Sequence, residues 1–206
     1  MNRREFITLL SGAAAWPLAA RAQQPALPVI GFLGSESLDL YAGRLRVFHQ
    51  GLRETGFVEG RNVAFEYRWA EGEYGRFPTL LADLVSRKVA VIATVGGTPP
   101  ALAAKAATTT IPIVFATAGD PIAAGLVSSL SRPGGNITGA TLLAGELGQK
   151  QLEVLTELVP AATVIALLVN PANPSNADTL SRDLQVAARI RGVGLHVLRA
   201  SKEKPG

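Results

Sequence analysis

The sequence contains no cysteine. Disulfides, thiolate metal sites, a cysteine nucleophile and a lipidated N-terminal cysteine are therefore excluded, and the fold must be held by its apolar core. Histidine is nearly absent too. His49 and His196 have no His, Asp or Glu at metal or triad spacing, so both read as surface or boundary residues. Charged residues make up only 17% of the chain and no run of Lys or Arg occurs, which removes the case for a polybasic membrane patch. The usual cofactor and catalytic motifs are missing as well. Gly31-Phe32-Leu33-Gly34 lacks the spacing of a dinucleotide loop, and neither a Walker-type phosphate loop nor a Gly-x-Ser-x-Gly elbow is present. No catalytic residue, metal or cofactor is expected, and the protein reads as a non-enzyme.

What is present is apolar material: 48% of the 206 residues are hydrophobic. That is enough for a core and too much for a disordered chain. At the N-terminus, Arg3-Arg4 precedes an apolar run from Phe6 to Ala20, and Ala20-Arg21-Ala22 has a small-x-small cleavage pattern. The run is shorter than the roughly 20 residues needed to span a bilayer. Residues 1–22 thus read as an export signal of twin-arginine appearance, with the Sec and Tat routes both open. The mature protein is expected to be periplasmic and soluble. The signal holds Arg3, Arg4, Arg21 and Glu5, so of the formal net charge of +4 the remainder carries +2. That gives no case for nucleic acid as a partner.

From Val29 onward, strand-like and helix-like segments alternate. Strands are expected at Val29–Leu33, Asn62–Trp69, Val89–Val95, Ile113–Ala116 and Ile137–Leu143. Helices are expected from Tyr41 to Gly56, from Arg76 to Arg87, from the turn Gly96-Gly97-Thr98-Pro99-Pro100 to about Ala107, and from Asp120 to Leu130. The pattern restarts with a helix at Glu146–Val159, a strand at Thr163–Val169, a helix at Asn176–Arg191 and a strand at Gly194–Arg199. The β-branched strands read as buried on both faces. Repeated βα units predict an α/β fold, a parallel sheet covered by helices on both faces. Residues 23–143 read as a complete first lobe and 144–206 as an incomplete second one.

In open parallel sheets, ligands bind beyond the carboxyl ends of the strands. Those ends are Gly34-Ser35-Glu36, Gly96-Gly97-Thr98-Pro99, Ala116 to Pro121 and Asn170 to Asn173. Each residue there has two readings. Thr98 is an N-cap before Pro99 or part of an anion site at a helix start. Asp120 is an N-cap or the partner of a ligand cation. Glu36 is a solvated loop acid or a pocket acid, and Ser35 makes the turn or donates to a ligand. Trp69 and Tyr67 pack under a helix or line a pocket.

Several segments resemble a known family. They are Arg3-Arg4-Glu5-Phe6, Ile30 to Gly34, Gly51 to Val63, Phe65 to Gly72, Pro112 to Phe115, Arg132 to Gly139 and Leu168 to Pro171. Together they resemble the rhizobial-type ABC transporter substrate-binding proteins, related to tryptophan-binding importers. The resemblance implies a type 1 periplasmic-binding fold whose two lobes close on a small polar ligand, an amino acid or similar, and an inner-membrane permease as partner. It implies ligand contacts at Ser35, Glu36, Gly97, Thr98, Thr117 and Asp120, faced by Asn170 and Asn173. The tail from Ser201 departs from the family, whose members continue further. The expectation is a C-terminally truncated form that binds weakly or not at all. The alternatives are a sensor or regulator domain of the same fold and, less favoured, an α/β hydrolase.

Overall fold

The computed structural model describes residues 27–142 and 145–201. The signal reading of residues 1–22, with Ala20 and Ala22, lies outside them. Among the described residues, no helix is long and apolar enough to cross a membrane.

The first sheet is built from β1 (Val29–Gly34), β2 (Ala64–Trp69), β3 (Val91–Val95), β4 (Ile113–Thr117) and β5 (Ile137–Thr141). All neighbours are parallel, in the order β2-β1-β3-β4-β5. Three helices connect them: α1 (Leu38–Glu54), α2 (Phe77–Ser86) and α3 (Thr98–Ala107). The chain leaves β1 in one direction for β2, then crosses back to β3, β4 and β5. Right-handed crossovers therefore place α1 on one face, and α2 and α3 on the other.

The α2–α3 face carries the main core. In α2, Phe77, Leu81 and Leu84 recur at helical spacing and are buried. In α3, Ala101 and Ala104 give a small face that lies close to the sheet. Against them pack Leu33, Ile92, Ile113, Phe115 and Ile137, alternate residues of four strands. At the sheet edge, Arg68 of β2 donates through Nε to Asp83 of α2 at 2.7 Å and also pairs with Glu66. Hydrogen bonds from Arg68 and Arg87 hold the Asp83 carboxyl below the usual carboxylate range.

The α1 face is aromatic and only half covered. Phe32 projects from β1 into rings of Phe48, Tyr67 and Trp69, with centroids 5.3, 5.7 and 5.5 Å away. Trp69 thus packs beneath α1, as the blander of its two readings has it. Among the described residues α1 is the one helix on this face, and none covers β4 and β5 there. Val114 is 45% exposed, and Ala116, Thr138 and Ala140 are exposed as well. The expectation that β4 is buried on both faces is therefore corrected.

A second correction concerns residues 120–130, expected to be helical. They form turns. Asp120 and Pro121 start one helical turn, but Gly125 adopts φ +70 and ends it. Leu126 and Val127 then dive into the core. Lys105 donates to the freed carbonyls of Gly125 and Leu126 at 2.6 and 3.1 Å.

The second sheet has two parallel strands, β6 (Val164–Val169) and β7 (Gly194–Arg199), with helices α4 (Gly145–Leu158) and α5 (Pro174–Ile190). Leu152 of α4 and Leu184 and Ala188 of α5 pack on Ile165, Leu167 and Leu195, so both helices share one face. On the other face Val164 and Leu168 are 62% and 68% exposed, where burial on both faces was expected of β6. Apolar composition reported what the strand is suited to; helix placement decided what is covered.

Candidate functional site

A cleft of about 640 Å³ opens where β1, β3, β4 and β5 end. Its floor is the half-covered face of the sheet. Alternation puts Phe32, Val95, Ala116 and Ala140 on that side, and all four line the cleft. One wall is α1. Tyr41, Arg44, Leu45 and Phe48 recur at i, i+3, i+4 and i+7, so a single helical face supplies them. The rim comes from Glu36, Gly96-Gly97, Thr117-Ala118 and Thr141-Leu142.

Of the residues anticipated at the strand ends, Glu36, Gly97 and Thr117 line this cleft. Ser35 lies just beneath it, fully buried, and its hydroxyl has no hydrogen-bond partner. Gly96 beside it takes φ +94, and a Cβ there would sit 2.7 Å from the Ser35 Oγ, so this contact requires glycine. Thr98 is buried and shares a 3.1 Å hydrogen bond with Thr117. It is not the cap of α3. Gly97 holds that position and the helix begins at Thr98. Pro99 and Pro100 follow and have no N–H, so the first turn offers few donors to an anion. Asp120 accepts from the backbone N–H groups of Ile122 and Ala123 at 2.8 and 3.1 Å, which is the capping reading of that residue.

Asn170 and Asn173 do not line the cleft. Asn170 accepts from the Ala172 N–H at 2.9 Å, and Asn173 caps α5 through the Asn176 N–H. Every lining residue of the cleft comes from the first sheet and its connections.

Sequence reasoning missed the contribution of α1. Its apolar face was visible in Tyr41, Leu45 and Phe48, but Arg44 within that face was overlooked. Its guanidinium lies 5.2 Å above the centre of the Tyr41 ring. Burial pushes the Tyr41 hydroxyl pKa up, Arg44 opposes this, and Glu36 adds to the rise. Arg44 and Glu36 thus bring opposite charges to one aromatic corner. Among the described residues no group of three or more His, Cys, Asp or Glu is placed to hold a metal.

The family model for ABC transporter substrate binding proteins matches residues 27–204. The chain belongs to this family. Its sheet order and crossovers are those of a type 1 periplasmic-binding fold, and solved members of that fold superpose on it. A conserved domain protein from Vibrio cholerae gives a TM-score of 0.76 at 28% identity, over 85% of this chain and 58% of that one. An ABC domain from Streptococcus pneumoniae, solved in complex with L-Trp, gives 0.72 at 26% identity over the same shares. The tyrosine-binding protein of Clostridioides difficile is 33% identical over 123 residues, which is 60% of this chain and 35% of that protein. This member of the family spans little more than half the length of the solved relatives it matches.

Proposed function

We propose that the protein is the extracytoplasmic solute-binding component of an ABC importer, that it binds an aromatic or similar amino acid in the cleft beside α1, and that it carries out no chemistry on it. The observation that carries this reading is the pairing of opposite charges with an apolar floor. Arg44 suits a ligand carboxylate, because a guanidinium fork matches two oxygens. Glu36 suits an α-ammonium. Phe32, Phe48, Ala116, Ala140 and Leu142 offer an apolar surface for a side chain. The Gly96-Gly97 backbone adds polar groups at the rim, and Ser35, buried against Gly96, underlies it. Thr98 and Asp120 hold the rim in place, the first through Thr117 and the second by capping the 121–125 turn. The amino-acid ligands of the pneumococcal and clostridial relatives support the same class.

On this reading residues 1–22 are a cleaved export signal ending at Ala20-Arg21-Ala22, residues 23–143 are the first lobe, and 144–206 belong to the second. The mature protein works in the periplasm and delivers its ligand to a permease. Asn170 and Asn173 reach the ligand only when the lobes close about a hinge. The open cleft has walls from one sheet alone, so this chain is expected to bind weakly, with a Kd of roughly 0.1–1 mM.

A thermal-shift panel of amino acids, sugars and nucleosides at about 10 mM tests this. A ligand present well above its Kd stabilises the folded state by mass action. Aromatic amino acids are expected to raise the midpoint most, and their decarboxylated amines much less. A panel led by sugars, or one in which the amines match the parent amino acids, contradicts the reading.

A further inference from the structure

The far side of α1 carries a second groove, of about 620 Å³, lined chiefly by Arg46, His49, Gln50, Arg53 and Glu59. It shares no lining residue with the cleft. Residues 46, 49, 50 and 53 stand at i, i+3, i+4 and i+7, so they occupy one face of the helix. Arg46 and Arg53 are two turns apart, about 10 Å along the axis. Among the described residues neither forms an ion pair.

The other groups of the groove have partners. The His49 Nε2 shares a 2.7 Å hydrogen bond with the Tyr67 hydroxyl, and its ring packs at 4.8 Å on Phe65. Its Nδ1 lies 3.9 Å from the carboxylate of Glu59, the one acid of the lining. Gln50 donates to Glu54 at 2.9 Å, so the nearest acid on α1 is engaged with a neutral amide. Two guanidiniums are left without an anion, at either end of a concave surface whose middle is fixed by an anchored imidazole. Two exposed guanidiniums on one helical face favour dianionic oxygen groups, and a concave cavity favours a small molecule over a flat surface.

We propose that this groove is a second small-molecule site, independent of the cleft, which takes a phosphate group between Arg46 and Arg53. The source of that phosphate is a soluble ester or the free ion, and a lipid headgroup is the rival source.

The test is an NMR titration of the full chain with inorganic phosphate, against sodium chloride at matched ionic strength. Saturable amide shifts are expected at Arg46, His49, Gln50 and Arg53, with Gly96 and Gly97 unmoved. The Arg46→Gln/Arg53→Gln double variant is expected to weaken the apparent affinity by at least about tenfold. Both side chains are exposed, so its melting midpoint should match the parent's. Equal shifts with chloride, no saturation, or unchanged affinity in the variant overturns the proposal. So does co-sedimentation with anionic phospholipid vesicles by a chain that ignores inorganic phosphate. None of these outcomes bears on the amino-acid cleft, whose reporters are Gly96 and Gly97.

Discussion

Phe32→Ala is expected to lower the free energy of unfolding by about 3–5 kcal/mol, close to what such domains have in total. Phe32 is 1% exposed and touches the rings of Phe48, Tyr67 and Trp69 at once. It joins β1 to α1 and to β2, on a face where, among the described residues, no other helix adds support. Removing the ring leaves a cavity that the stiff aromatic neighbours cannot collapse to fill. Urea unfolding followed by tryptophan fluorescence reads the change, since Trp69 reports from the cluster itself. A loss below about 1 kcal/mol contradicts the view that this cluster holds α1 to the sheet. Phe32→Leu, which keeps most of the volume, should recover much of the deficit.

Arg44→Ala is expected to weaken amino-acid binding by about ten- to a hundredfold, the worth of a charged hydrogen bond of roughly 1.5–3 kcal/mol. Its stability should be close to the parent's, because the guanidinium is exposed and rests on the Tyr41 ring. Arg44→Lys keeps the charge and loses the fork, so an intermediate affinity is expected. Calorimetric titration of the three proteins with L-tyrosine separates these cases. Unchanged affinity in Arg44→Ala removes this residue from the site, and an equal loss for tyrosine and for its decarboxylated amine shows that it does not hold the carboxylate.

Much of this architecture is legible in the residues, because local periodicity and burial point the same way there. The strands at Val29, Ile113 and Gly194 and the helices ending near Glu54, Ser86 and Ala107 follow from it. The misses share one cause, since each depended on where another element lies. The 121–130 segment has helical composition, but Gly125 in a left-handed turn and the pull of Leu126 and Val127 into the core end it after one turn. Val114 and Leu168 look like interior residues, yet among the described residues none covers their faces. The strand-end loops supply Glu36, Gly97 and Thr117 to the lining of the cleft. They were silent on Arg44, a charge inside an otherwise apolar helical face. A charge in such a place was the signal available, since a buried stripe has little reason to carry one unless it faces a cleft. Asp120, in the same loops, has its carboxylate engaged by the backbone that follows it.

The central claim is that a small solute is gripped at the strand tips between α1 and the Gly96-Gly97 turn. Soaking crystals of the chain with L-tyrosine tests it most directly. Difference density for the amino acid is expected in the cleft, with its carboxylate at Arg44 and its ammonium toward Glu36. Density at any other place on the chain, with this cleft filled only by solvent, would contradict it.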